Sequence, residues 1–378
     1  MLATNQVNES PNVAIVLLNY NGTTDTLACI DSLLAADKPF GQLIVCDNAS
    51  TDGSFMRLWA VLHDRKAAFE AAWSRWRCAK PFALATIDRT RVHSGASSDA
   101  SVVLVDNEKN WGFAGGNNVG LRLAMRTPDI RFCWLLNNDT TVHPDALSAL
   151  LRASRRRPSV GLWGATVLYK EPAGQVQALG GGMLNRRTAK TRHLGAFMPA
   201  SEVRMHEAAT RDVESNMAYV LGASMFASRI WIERVGLLDE RYFLYYEELD
   251  WASRATGIMP IGYAPECMVV HKEGASIGTA PSGGSAISVH HLHRSRVLFA
   301  RRFRSHCPSL LIVLLASALE LVKYCMKGKW LLAEAGFAGL VAGMRWVHVN
   351  RDLNEDHTGD LRISDSATEL PVRNGRDT

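Results

Sequence analysis

The chain has 378 residues, 47% hydrophobic and 21% charged, a balance that permits a large folded core and two or three domains and excludes a wholly disordered chain. A net charge of +5 and a pI near 8.8 suit a phosphate-bearing ligand or an anionic membrane face, but are too weak to argue for nucleic acid. Seven cysteines (Cys29, Cys46, Cys78, Cys133, Cys267, Cys307 and Cys325) are scattered, odd in number and without CxxC spacing, as expected of reduced core residues in a cytosolic protein.

The N-terminal MLATNQVNESP has no basic start and precedes an apolar run only a strand long, so no signal peptide is expected. Val13 to Leu18 predicts a buried strand that stops at Asn19, Tyr20, Asn21 and Gly22. Thr24 to Leu34, with Leu27, Ile30, Leu33 and Leu34 at helical spacing, predicts an amphipathic helix. Leu43 to Cys46 predicts a second strand ending at the polar run Asp47 to Ser54. Strand, helix and strand in about thirty residues make a βαβ unit.

Phe55 to Trp76 reads as helical, with Trp59, Arg65, Trp73, Arg75, Trp76 and Arg77 interleaved; inward packing of the aromatics is the expectation over a nucleic-acid surface. Ser94 to Ser101 reads as a loop and Val102 to Val105 as a strand ending at Asp106 and Asn107. NWGFAGGNNVGLR, Asn110 to Arg122, reads as a glycine-rich loop able to bring its backbone to a ligand before entering a helix by asparagine capping. Its candidate ligand-facing residues are Gly115, Gly116 and Asn118. It matches neither G-x-G-x-x-G nor G-x-x-x-x-G-K-[ST], so neither a dinucleotide fold nor a P-loop follows.

Phe132 to Leu136 is a short apolar strand that delivers Asn137, Asn138 and Asp139 to its carboxyl end; a brief loop, Thr140 to His143, and a helix opened by Pro144 and Asp145 follow. A carboxylate beyond a strand's carboxyl end suits a metal-bound phosphate, and it equally suits a turn cap. Val160 to Tyr169 reads as a strand, Gly180 to Gly182 as a loop, Ser201 to Glu214 as exposed, and Tyr219 to Ala227 as an apolar segment broken at Gly222 and Ala223.

A short helix, Ile230 to Val235, leads to YFLYYEELDWASRATG, Tyr242 to Gly257, which sets Glu247, Glu248 and Asp250 at a helix start. Such acids serve proton transfer or simply the helix dipole, and Asp250 stands four before Arg254 as a helix ion pair. His271 follows a strand ending and could be a metal ligand, a phosphate contact or a structural residue. Ala280 to Ser288 reads as a mobile loop, and His290 to Arg304 as a basic helix without zinc spacing. Pro308 to Val349 predicts one or two amphipathic helices, and Arg351 to Thr378 a disordered tail. The longest apolar run, Leu310 to Leu319, stops at Glu320, short of a bilayer span.

Four segments in order, NYN with DNASTDGS, NWGFAGGNNVGL, LLNNDTTVHPDAL, and GLLDERYFLYYEELDWASRATG followed by HKEGAS, resemble the family 2 glycosyltransferases. The similarity is greatest to the bacterial rhamnosyltransferase and galactofuranosyltransferase-like branch, over about Val13 to Phe303. The resemblance implies an α/β GT-A fold, a Rossmann-like, mostly parallel sheet flanked by helices, in residues 1–303, with 55–100 as an insertion. A C-terminal helical extension over 304–350 and a disordered tail over 351–378 complete the expected organisation.

By the same resemblance, Asp47 binds the nucleobase, with Asn19 and Tyr20 at the nucleotide edge. Asp139 matches the last acid of the D-x-D motif that holds Mg2+ or Mn2+ on the diphosphate; Asn137 occupies the first acid's place, and His271 completes the metal site. Glu247 and Glu248 stand where the family has Glu-Asp, whose second member is the catalytic base; Glu248 is that base here, with Glu247 the alternative. Arg294 matches an arginine that meets the diphosphate.

The implied function is inverting transfer of a sugar, rhamnose first, from a dTDP- or UDP-sugar donor to a lipid-linked or polysaccharide acceptor. Asp139, Glu248 and His271 would then converge on one cleft. The rival class is a catalytically silent, nucleotide-sugar-binding or scaffold subunit, suggested by Asn137 and the Glu-Glu pair. The mix of Leu310 to Leu315, Trp330 to Leu332 and Phe337 with Lys323, Lys327 and Lys329 suits a membrane-interface helix, with the preceding Arg cluster favouring anionic lipid; a helical subdomain or dimer interface is the alternative. The expected location is cytoplasmic, peripheral on the inner face of the membrane.

Overall fold

The computed structural model describes residues 12–76, 81–272, 284–303 and 309–349, with side chains described to 345. Cys78, Cys307, Arg77, Arg304, residues 273–283 and the tail 351–378 lie outside the described residues. β1 (Val13–Asn19), α1 (Thr23–Leu34) and β2 (Gln42–Asp47) form the expected βαβ unit; α2 (Ser54–Asp64), α3 (Lys66–Arg75), β3 (Leu84–Asp88), α4 (Arg89–His93) and β4 (Val102–Asp106) follow. Next come α5 (Gly112–Met125), β5 (Phe132–Asn137), β6 (Thr140–Val142), α6 (Ala146–Arg156), β7 (Leu162–Tyr169), β8 (Val176–Leu179), β9 (Gly181–Leu184) and β10 (Thr191–His193). The chain continues through α7 (Glu207–Asn216), β11 (Tyr219–Val220), β12 (Ser224–Ser228), α8 (Arg229–Val235), α9 (Glu247–Arg254), β13 (Ile261–His271), α10 (Ala286–Arg302), α11 (Leu310–Met326) and α12 (Trp330–Val349).

Among the described residues the main sheet runs β3-β4-β2-β1-β5-β12-β7-β13-β6, with β8 on β7, and a small sheet runs β10-β9-β11. The pairs β3 with β4, β4 with β2, β2 with β1, β1 with β5 and β7 with β13 are parallel, while β12 runs antiparallel between β5 and β7. β1 is apolar throughout because both of its faces are covered: Val13, Ile15 and Leu17 enter one core with Leu33, Leu58, Leu62 and Leu150, and Ala14 and Val16 enter the other with Leu121, Leu123 and Trp231. Parallel strands covered on both faces put every carboxyl end of this half of the sheet on one edge.

Several local expectations change. The glycine-rich Asn110 to Arg122 is a helix from Gly112 onward rather than a loop. Its glycines permit close packing: a Cβ on Gly116 would lie 2.4 Å from Leu18 Cδ1, and one on Gly112 would lie 2.2 Å from the Phe243 carbonyl oxygen, at φ +70. Thr140 to Val142, read as loop, is a strand antiparallel to β13, and Gly180 to Gly182 is the corner into β9 rather than a free loop. Such short strands carry no periodicity of their own; pairing with a distant partner makes them. Within 55–100, β3 joins the main sheet parallel to β4, and the tryptophans pack inward, with Trp73 5.3 Å from Phe40 and 5.7 Å from Phe82. Cys29, Cys46, Cys133 and Cys267 are buried free thiols, whose pKa burial pushes up.

α10 crosses α12 at Gly336, Gly339 and Gly343, where the missing side chains bring α12 onto the His290 and Arg294 backbone. Three arginines of α10 are paired within the protein. Arg296 is buried on Glu320 (2.7 Å) and Ser317 (3.1 Å), Arg302 bonds Asp250 (2.8 Å) and Asp239, and Arg301 donates to the Met344 carbonyl. The buried Arg296 guanidinium needs such partners, which α11 supplies, whereas Arg302 stays exposed and Arg301 half-buried.

Candidate active site

The carboxyl ends of β1 and β2 lie side by side, with Asn19 paired to Asp47 in register. Asp47 is buried and accepts hydrogen bonds from Asn19 Nδ2 (2.6 Å), the Ser50 amide (2.9 Å) and Ser50 Oγ (2.7 Å), which hold the Asp47 to Ser54 loop over the strand ends. Tyr20 follows, half-buried. Asn138 donates to Thr26 Oγ1 (3.0 Å) and Asn19 Oδ1 (3.3 Å), tying the end of β5 to β1 and α1. On α5, Gly115 and Gly116 are buried in packing, and Asn118 is buried between the Leu238 carbonyl (2.9 Å) and Glu240 (2.9 Å), anchoring the loop that leads toward α9.

Beyond β5 the turn into β6 carries Asp139 to the end of β13, where Lys272 N donates to the Asp139 carbonyl. There His271 Nε2 lies 3.1 Å from Asp139 Oδ1 and 3.3 Å from Asn137 Nδ2, with the Asp139 and His271 side chains 8% and 9% exposed. His271 Nδ1 lies 2.9 Å from Gln177 Oε1, a buried acceptor on β8. Nδ1 therefore carries the proton, and Nε2 points its lone pair at Asp139. Two lone pairs at that distance repel unless a proton or a cation lies between them. The pair fits the cation case: about 3 Å separates adjacent ligands of a six-coordinate Mg2+ or Mn2+ bound at ~2.1 Å. No cluster of three or more His, Cys, Asp and Glu side chains occurs among the described residues, so these two groups supply an incomplete shell that a ligand's oxygens would close.

Gln177 was not singled out from sequence. Its signal is a polar side chain in a buried strand, VQAL, between Val176 and Ala178.

Glu247 and Glu248 open α9 after Tyr245 and Tyr246, which hold the left-handed conformation at φ +66 and +72. Two such residues in a row are strained, and the surroundings hold them. Tyr246 Oη donates to the Ala189 carbonyl (2.6 Å) and accepts from Arg296 Nε (3.2 Å). Glu247 is buried and Glu248 half-buried. One carboxyl oxygen of each, Oε2, is enclosed without a hydrogen-bond partner among the described residues.

Burial pushes the Glu248 pKa up to about 7; burial, then the neighbouring Glu248 charge, pushes Glu247 well above the carboxylate range. Asp250 is separate, buried against Arg254 (2.7 Å) and Arg302 (2.8 Å), an ion-pair anchor of the helix. Arg294 donates to the Arg241 carbonyl (2.9 Å) from half-buried α10.

The small sheet links the two groups of residues. Tyr219 on β11, whose pKa rises chiefly by burial and secondarily through the Glu248 charge, hydrogen-bonds Thr191 at one end of β10. His193 at the other end has its pKa lowered by burial and then by His271. The Asn137 amide donates to Ala223, beside β12. The arrangement brings Asp139 and His271 into contact and Asn19 onto Asp47, while Glu247 and Glu248 stand on α9, which packs against β11. Two cavities of about 620 and 430 Å3 lie elsewhere, the larger behind α9 against Leu249 and Ala252, and neither is lined by Asp139, His271 or Glu248.

A mostly parallel sheet between helices, with carboxylates and an imidazole at its carboxyl edge, is an α/β architecture whose ligand crevice is expected beyond the strands' carboxyl ends. No protein-family profile matches the chain. Over 165 residues it is 28% identical to N-acetylglucosaminyl-diphospho-decaprenol L-rhamnosyltransferase of Mycobacterium tuberculosis, covering 42% of this chain and 52% of that protein. It is 24% identical over 246 residues to the low-salt glycan biosynthesis hexosyltransferase Agl10 of Haloferax volcanii, covering 65% and 61%. The chain thus spans about half the length of the mycobacterial relative it matches.

Among solved structures it is similar to the mannosyltransferase PcManGT from Pyrobaculum calidifontis in complex with GDP-Man and Mn2+ (15% identity, 89% and 88% coverage, TM-score 0.46). It is also similar to S. aureus TarS 1-349 (10% identity, 93% and 76% coverage, TM-score 0.43). The sequence relatives are thus named as a rhamnosyltransferase and a hexosyltransferase, and the chain is similar to each over part of its length.

Proposed function

We propose that the chain is an inverting, divalent-metal-dependent glycosyltransferase that moves a sugar, rhamnose first, from a dTDP- or UDP-sugar to a lipid-linked or polysaccharide acceptor in cell-surface glycan synthesis, at the inner face of the cytoplasmic membrane. The observation that carries it is the contact of Asp139 with His271 at the carboxyl edge of the sheet; Glu248, with one carboxyl oxygen enclosed and its pKa pushed up to about 7 by burial, supplies the base. A base near neutrality takes a hydroxyl proton efficiently, a gain of at least about a hundredfold. The rhamnosyl donor and lipid-linked acceptor follow the mycobacterial relative, whose name describes rhamnosyl transfer and a decaprenol-linked glycan.

In this mechanism Asp47, Asn19 and Tyr20 hold the nucleoside end of the donor. Glu248 removes the proton from the acceptor hydroxyl as its oxygen attacks the anomeric carbon in line with the departing diphosphate, inverting that centre. Asp139 and His271 would hold Mg2+ or Mn2+, whose charge stabilises the leaving diphosphate. Gln177 keeps the His271 Nε2 lone pair turned inward.

The silent-subunit alternative rests on Asn137, which brings an amide where a carboxylate would add charge. Incubating the protein with a panel of nucleotide-sugars and Mn2+, with product release followed by phosphate-coupled assay, separates the two. Turnover lost in Asp139→Ala, with the fold retained by circular dichroism, supports transfer; nucleotide-sugar binding without any turnover supports the silent subunit.

A further inference from the structure

Fifteen large apolar side chains are exposed among the described residues, and nine of them fall in α11 and α12. On α11 these are Leu311, Ile312, Leu315, Leu319, Val322 and Met326; on α12 they are Trp330, Leu331 and Phe337. The inner faces are engaged: Val313 and Leu321 are buried, and Glu320 is held by Lys190 (2.5 Å) and Arg296. Among the described residues nothing covers the outer stripe, and an apolar face of this size on a folded protein marks an interaction surface.

Its charges say what covers it. Lys323 and Lys327 stand exposed and Lys329 half-exposed around the turn between the helices, beside Met326, Trp330 and Leu331, with Glu334 the exposed acid of the pair. Ile312, Leu315, Leu319, Val322 and Met326 have coiled-coil spacing. A second copy would nevertheless set Lys323, Lys327 and Lys329 against Glu334 alone, because Glu320 is already committed inward. Lysine stems and a tryptophan bordering an apolar stripe are instead the composition of a helix lying at a lipid headgroup boundary. No helix among the described residues is long and apolar enough to cross a membrane, so the face would lie on a bilayer rather than pass through it.

We propose that the outer face of the α11–α12 hairpin docks on an anionic phospholipid bilayer, with Leu319, Val322, Met326, Trp330 and Leu331 entering the headgroup boundary and Lys323, Lys327 and Lys329 meeting lipid phosphates. This goes beyond sugar transfer and stands whether or not that reaction is the right one. It also assigns the lipid contact to the hairpin rather than to the α10 arginines.

Flotation of the full chain with phosphatidylcholine vesicles, with and without phosphatidylglycerol, tests it. Wild type should bind the phosphatidylglycerol vesicles, less at high salt. Lys323→Gln with Lys327→Gln and Lys329→Gln should weaken that binding by roughly a hundredfold at low salt. Trp330→Glu with Leu331→Glu should abolish it, with melting temperature unchanged because both side chains face solvent. Absence of vesicle binding, equal binding to neutral vesicles, or a concentration-dependent dimer that Trp330→Glu with Leu331→Glu dissolves while vesicles stay unbound would each overturn the proposal.

Discussion

Glu248→Gln should lose activity and gain stability, and both effects come from one enclosed carboxyl group. An unfolded glutamate ionises near 4.5, whereas burial holds the folded Glu248 proton to about 7. Between those values the folded chain keeps a proton that the unfolded chain has released, so stability falls as pH rises, and it stays lower above pH 7. The rise in pKa corresponds to about 3 kcal/mol of lost stability at pH 8, absent at pH 4. Glutamine keeps the shape without the charge. In urea melts the variant should therefore match wild type near pH 4 and exceed it by about 2–3 kcal/mol at pH 8, part of the gain being lost to the amide's own unsatisfied hydrogen bonds. Turnover runs the other way: wild-type kcat/KM should climb about tenfold per pH unit below 7 and level above it, and Glu248→Gln should lose about a hundredfold or more. Wild-type turnover in Glu248→Gln, or equal stability of the two proteins at pH 8, would refute the assignment. Loss of turnover in Glu247→Gln alone would move the base to Glu247.

Gln177→Leu removes the acceptor that holds the His271 tautomer and should weaken Mn2+ binding by about 10–100-fold in an electron paramagnetic resonance titration; unchanged affinity would show that Gln177 merely packs. Asp139→Ala should abolish Mn2+ binding in the same titration, and Mn2+ affinity equal to wild type would refute its place as a ligand. Gly112→Ala sets a Cβ against the Phe243 carbonyl at a positive φ and should cost about 3 kcal/mol or more by urea melt. Because Phe243 leads into Tyr245 and Tyr246, it should also slow turnover in the protein that does fold.

Much of the scaffold is written locally. VAIVLLN, QLIVCD and FCWLLN are too short and too apolar to be anything but buried strands, and each ends in the polar residue that the site uses: Asn19, Asp47 and Asn137. The acids at the start of α9 are legible as a helix N-terminus in the same way. Their division of labour is not. Asp250 differs from Glu247 and Glu248 because Arg254 and, from far along the chain, Arg302 reach it, while one oxygen of each glutamate has no hydrogen-bond partner among the described residues.

Tertiary packing likewise decided that NWGFAGGNNVGL is a buried helix, since glycines look like a loop until Leu18 and Phe243 press against them. It set Arg296 of α10 on Glu320 and Arg302 on Asp250, and it left the apolar stripe of α11 and α12 outside. Above all, Asp139 meets His271 only because β6 pairs with β13, and His271 presents its lone pair only because β8 sets Gln177 behind it. Composition and spacing determine where a chain bends and which face of each element is apolar, because those depend on neighbours within a few residues. Which side chains then share one desolvated place depends on strand register and burial between distant segments, and that shared place sets both a proton's affinity and a cation's ligands.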